Sequence, residues 1–106
     1  MSNSFKDRET GFENKFAHDE EMQFKAVARR NKLLGLWAAG VLGKSGADAE
    51  AYAMEVVFAD FEEVGHEDVY RKLATDLSGK ADEATIRGKM AELLGTAKEQ
   101  LMSEIR

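Results

Sequence analysis

FENKFAHDEEMQFKAVARRNKLLGLWAAGVLG, residues 12–43, changes character partway along, and the rest of the chain is read from that change. In its second half Phe24, Val27, Leu34, Trp37 or Ala38, and Val41 recur near one face of a 3.6-residue helix, the pattern of a helix that buries a stripe. Its first half carries Phe12 and Phe16 four residues apart, with Phe5 seven before Phe12, but places Lys, Asp, Glu or Asn at most positions between them. Such a segment has too few apolar residues to bury against its own protein. The boundary between a reaching segment and a folded scaffold is expected between His18 and Met22, which divides the chain into 1–17 and 18–106.

Working toward the N-terminus, residues 1–17 read as a polar amphipathic segment. In helical form, Phe5, Phe12 and Phe16 share a face, while Lys6, Asp7, Arg8, Glu9, Glu13 and Lys15 solvate much of the remainder. Gly11 interrupts it, at a cost of about 1 kcal/mol relative to Ala in a helix interior. Three buried Phe contribute roughly 5 to 9 kcal/mol. Fixing about a dozen backbone units costs about 1 to 2 kcal/mol each. The segment is therefore expected to be mobile or only partly helical without a partner.

Working toward the C-terminus, four helices are expected, at about 19–42, 47–64, 67–77 and 82–105. Asp19, Glu20 and Glu21 suit the dipole at the start of the first, with Asp19 or His18 at its cap. Lys25, Arg29, Arg30 and Lys32 follow as a basic band, read either as a solvated face or as a docking surface for acidic side chains. Tyr52, Ala53, Val56, Val57, Phe61 and Val64 supply the stripe of the second helix, and Val69, Tyr70, Leu73 and Leu77 that of the third. Ile86, Met90, Leu93, Ala97, Leu101 and Ile105 repeat at three or four residues in the last, with Asp82 as its N-cap. Gly43, Gly65 and the Ser78-Gly79-Lys80 turn separate these elements. Nothing reads as a strand. The expected fold is all-α, a small four-helix bundle.

Composition narrows the function classes. The chain has 106 residues, 43% hydrophobic and 33% charged, which fits one surface-rich helical domain. With no Cys, thiolate chemistry and disulfides are excluded. The net charge of -5 argues against nucleic-acid binding, which draws its affinity from neutralised phosphates. No apolar run approaches the ~20 residues that span a bilayer, and MSNSFKDRE lacks the basic and apolar regions of a signal peptide, so the expected compartment is the cytoplasm.

Chemistry-bearing motifs are sparse. Gly43-Lys44-Ser45-Gly46 resembles part of a phosphate loop, but the full pattern needs Gly at the position of Ala38 and a preceding strand. A helix end and turn explain these glycines. A weak anion or adenine-nucleotide site at Lys44, Ser45 and Gly46 is the alternative, since exposed amides and a Lys attract phosphate. His18 and His66 each adjoin carboxylates, but neighbours on a helix diverge, so no metal site is expected. Trp37 reads as core or half-core. No nucleophile, base and oxyanion donor combine in a recognisable signature, and an enzyme is not expected.

The blocks FENKFAHDEEMQFKAVARRNKLLGLWAAGVLGKSG, from Phe12 to Gly46, and EVVFADFEEVGHEDVYRKL, from Glu55 to Leu73, closely resemble the zeta-subunit family of alphaproteobacterial F-type ATP synthase inhibitors. The resemblance implies a four-helix bundle whose N-terminal segment enters the catalytic head of the synthase, at the central rotor, and blocks ATP hydrolysis. On that reading Phe5, Phe12 and Phe16 anchor the inhibitory segment, and Glu13, Asn14 and Lys15 make polar contacts. His18, Lys25, Arg29 and Arg30 form a junction that continues or seats it. The protein would lie at the cytoplasmic face of the inner membrane through the synthase, without inserting into the bilayer. Two rival readings are a helical adaptor for another protein and a weak adenine-nucleotide-binding regulatory module at the Lys44 turn.

Overall fold

The computed structural model describes residues 20–61 and 66–104. Four helices make up the described body: α1 (Glu20–Val41), α2 (Gly46–Ala59), α3 (Glu67–Asp76) and α4 (Glu83–Glu104). No strand occurs among the described residues. The segment 1–17, with Phe5, Phe12, Glu13, Asn14, Lys15 and Phe16, lies outside them, as do His18 and the expected cap Asp19.

The ends of the helices follow from local chemistry. Past α1, Gly43 takes φ +80°, and the Lys44 and Gly43 amides donate to the Ala39 and Gly40 carbonyls at 2.8 and 3.1 Å. This paired return satisfies carbonyls that the helix would leave open. Asp82 caps α4, its Oδ1 accepting from the Thr85 amide at 2.8 Å, and hydrogen bonding from the Thr85 side chain and then its amide holds the carboxyl below the ordinary carboxylate range. The second helix stops at Ala59 rather than near Val64, with Asp60 and Phe61 in a turn. Its last turn has no basic residue, while Asp60, Glu62 and Glu63 follow directly in sequence. Carboxylates at a helix C-terminus oppose its dipole, so the sequence there disfavours continuation.

Two apolar clusters form the core. In the larger, Leu34, Ala38 and Ala39 of α1 meet Tyr52 and Val56 of α2, Val69 and Leu73 of α3, Leu77, and Ile86 and Met90 of α4. Trp37 is half-buried against it, with Lys89 Nζ 5.9 Å from its ring centre. The smaller cluster pairs Met22 and Ala26 at the start of α1 with Leu101 and Met102 at the end of α4. Helices α1 and α4 are thus antiparallel partners along their lengths. Each has 22 residues, about 33 Å at 1.5 Å per residue. With 14 residues, α2 covers only part of α1.

Helices α1 and α2 approach closely at Gly35. A Cβ there would lie 2.6 Å from Ala53 Cα, 3.1 Å from Ala53 Cβ and 3.2 Å from a Val56 methyl. Because the first of these is backbone, a methyl at this point forces the helices apart. Gly88 and Gly95 of α4 have nothing within 4 Å of the same construction. Gly35→Ala is expected to lower stability by about 1–3 kcal/mol despite its better helix propensity. Gly88→Ala is expected to raise it by about 0.5–1 kcal/mol. Opposite shifts of the urea midpoints would meet the expectation, and a stabilised Gly35→Ala would contradict it.

Candidate functional site

Phe24 belongs to the expected apolar stripe of α1, yet it is 60% exposed. The reason is the length of its neighbour. Phe24, Val27, Ala28 and Asn31 lie on the side of α1 that faces α2, and together with Val57, Asp60 and Phe61 they line a shallow groove. Helix α2 ends at Ala59, before it covers Phe24. Phe58 and Phe61 emerge at that end, 57% and 58% exposed. The Phe24 and Phe61 rings stack with centroids 6.3 Å apart and planes 9° apart, and Phe58 tilts against Phe61 at 6.0 Å. The result is an aromatic shelf one turn from the first described residue of α1.

Beneath the shelf lies a polar joint between three elements. Arg30 is only 3% exposed and Asn31 1%. Arg30 Nε donates to Asn31 Oδ1 at 2.7 Å, and its terminal nitrogen lies 3.2 Å from His66 Nδ1 at the start of α3. The same His66 nitrogen is 3.4 Å from Asp60 Oδ1. Accepting from Arg30 needs the lone pair of Nδ1, and donating to Asp60 needs a proton there, so one contact excludes the other. Burial holds the Arg30 guanidinium below its ordinary value, and the charge of Asp60 opposes that effect.

The basic band does not form one surface. Arg30 turns inward, where it cannot present its charge to a partner docked on the body. Lys25 pairs with Glu21 of its own helix at 3.1 Å. Arg29 reaches Glu104 of α4, one of its two nitrogens donating at 2.9 Å, and that bond draws the Glu104 carboxyl below its ordinary value. Lys32 lies 3.9 Å from Glu50 of α2. A partner that used Lys25 or Arg29 would compete with these internal carboxylates.

The Lys44 turn lies at the other end of α1. Lys44, Ser45 and Gly46 are all exposed. Ser45 precedes α2 in extended conformation and makes no side-chain cap. Nearby, the buried Tyr52 phenol donates to Asp76 Oδ2 at 2.7 Å, and Lys72 donates to the same oxygen at 3.1 Å. Burial raises the Asp76 carboxyl, but the bonds from Tyr52 and Lys72, with the charges of Lys72 and Lys44, bring it below the ordinary range. Among the described residues no group of three or more His, Asp or Glu is placed to hold a metal ion. Nor is any described helix long and apolar enough to cross a membrane.

A family model described as ATPase inhibitor subunit zeta matches residues 1–100. The chain belongs to the ATPase inhibitor subunit zeta family. A solved solution NMR structure is similar at 66% identity, with a TM-score of 0.74, over 78% of this chain and 98% of that one. No curated protein matches. The family match runs through residues 1–19 as well as through the helical body, so the zeta-family character includes the segment before α1. The shelf escaped the periodicity because the repeat fixes a face, not the length of the helix that covers it. The signal for it was the acidic run after Phe58, which marks where α2 must end.

Tyr52 carries a testable pH dependence. Burial, the bond to Asp76 and nearby carboxylate charge hold its phenol protonated well above the ordinary range. A folded value raised above the unfolded one, about 10, contributes stability that is full below that pH and lost as pH rises above it. Urea midpoints of the parent should therefore fall more steeply between pH 9 and pH 11 than those of Tyr52→Phe, by about one pH-dependent proton. Parallel profiles would show that Tyr52 ionises alike in both states.

Proposed function

We propose that this zeta-family chain inhibits ATP hydrolysis by the F-type ATP synthase by inserting residues 1–17 as a helix between the catalytic subunits and the rotor. The observation that carries the reading is the extent of the family match, which begins at residue 1 and so takes in Phe5, Phe12 and Phe16. Among the described residues, the two apolar clusters are built from Met22 to Met102.

The insertion is a coupled folding and binding step. The segment adjoins the first turn of α1, so a helix growing into it extends formed turns and avoids the nucleation penalty. Burying three Phe in an interface contributes roughly 5 to 9 kcal/mol toward ordering the segment, and contacts from Glu13, Asn14 and Lys15 add specificity. His18, Lys25 and Arg29 continue the contact surface along α1, while Arg30 stays in the body as the anchor of that helix. A rod held between a rotor and its surrounding subunits stops rotation by bulk, so the inhibitor needs no catalytic group and no cofactor. Attachment to the synthase would place the protein at the cytoplasmic face of the inner membrane without a spanning helix of its own.

The test is ATP hydrolysis by the purified cognate synthase, with the full chain and with residues 2–17 deleted. The deletion is expected to abolish inhibition while leaving the helical circular dichroism and thermal midpoint of the body unchanged. Phe12→Ala with Phe16→Ala should weaken inhibition by at least tenfold, given about 1.5–3 kcal/mol for each buried side chain. Full inhibition by the truncated chain would refute the assignment.

A further inference from the structure

We propose that the aromatic shelf of Phe24, Phe58 and Phe61 is a resting site for the chain's own N-terminal segment, which docks Phe12 and Phe16 there when no synthase is engaged. The proposal rests on the inhibitory-segment reading for its consequence, but not for its geometry. Isolated exposed apolar side chains are ordinary on protein surfaces, whereas a contiguous aromatic cluster marks an interaction site. Here three phenylalanines, each more than half exposed, touch one another, while Met54 is the other large apolar side chain exposed among the described residues.

Position and length favour the segment as the occupant. The described structure begins at Glu20, four residues before Phe24 and about 6 Å of helix rise from it. The preceding 19 residues span up to about 60 Å when extended, so a reversal before Glu20 brings Phe16 and then Phe12 alongside Phe24. The groove between Phe24, Val27, Val57 and Phe61 is apolar, with the Asp60 carboxylate among its lining residues. That carboxylate is already opposed by His66 and Arg30, so the attraction the groove offers is apolar. Tethering supplies an effective concentration in the millimolar range for a short flexible connection.

Area argues against a second copy as occupant. Three Phe at a little over half exposure offer about 350 Å² on the areas typical of that side chain, below the roughly 800 Å² per partner of a stable interface. A tethered segment needs far less than a free partner. Docking is correspondingly shallow, since two buried rings barely offset the ordering of the residues between them. The shelf therefore sets a fraction of segment that is withheld, and the apparent affinity for the synthase falls by the fraction left competent.

The chain has no Cys, so Thr10→Cys takes a single nitroxide label. In the isolated full chain, paramagnetic broadening is expected at the amides of Phe24–Ala28 and Val57–Phe61, and Phe24→Ser with Phe61→Ser should erase it. Both replaced rings are exposed, so the body is expected to keep its circular dichroism. In the synthase assay the same double variant, unlabelled, should begin inhibiting about two- to tenfold faster, by release of the withheld fraction. No broadening at the shelf in the labelled parent, or broadening only between labelled and isotope-enriched copies in a mixture, overturns the proposal. So does slower or weaker inhibition by the double variant, which would make the shelf a contact for the synthase instead. If the inhibitory reading itself were wrong, deletion of residues 2–17 would leave hydrolysis unaffected while the broadening persisted, so the two failures are distinguishable.

Discussion

The contact between α1 and α2 at Gly35 constrains everything around it. With a glycine opposite Ala53 and Val56, the two helices lie closer than any side chain at position 35 would allow, which holds the register between them. Counting from that point, α2 has only a few residues left before Ala59, while α1 runs on for four more turns toward Glu20. The excess length of α1 packs on its α4 side against Leu101 and Met102, through Met22 and Ala26. Its other side is where the aromatic rings stand open. One small residue therefore decides both how tightly the bundle closes and which part of it remains uncovered.

Sequence alone went far on the fold and less far on the site. The all-α class and the four helices followed from the repeats of Leu34, Val56, Leu73, Ile86 and Met90, because a stripe at 3.6-residue spacing states that a helix exists and which face it buries. It does not state what lies opposite. Arg30 shows the consequence. In a row of cations at Lys25, Arg29, Arg30 and Lys32, composition treats the four alike. The fold sends Arg30 into a joint with Asn31 and His66 and commits the others to Glu21, Glu104 and Glu50. Phe24 shows the converse, a residue whose face was legible and whose exposure was not, because exposure depends on a neighbour's last turn.

The ion pairs also separate stability from recognition. Arg29 with Glu104 ties the start of α1 to the end of α4, and Arg87, paired with Glu83 within α4, reaches Glu67 to tie α3 to α4, its guanidinium 3.9 Å from the centre of the Tyr70 ring. Exposed pairs of this kind contribute little to folding free energy. They do set the direction in which the long side chains lie, and they leave no unopposed basic face along the described part of α1. Recognition through Lys25 or Arg29 must then displace Glu21 or Glu104.

On the proposed obstruction mechanism, an inhibitor faces a conflict that a catalyst does not. Its active segment must be apolar enough to bind tightly in a foreign interface, and the same apolarity exposes it to whatever hydrophobic surface is nearest. For a segment that begins next to Phe24, the nearest such surface is the shelf on its own body. A strong intramolecular contact would defeat the inhibitor and a featureless surface would leave the segment's rings in water. The shelf lies between these limits: three rings, each still half covered by their neighbours, offer a contact worth little more than the entropy it costs. The early end of α2, set by carboxylates at its C-terminus, is what keeps that contact small. On the proposed docking, the same acidic run that stops α2 thus also bounds how firmly the shelf would hold the N-terminal segment.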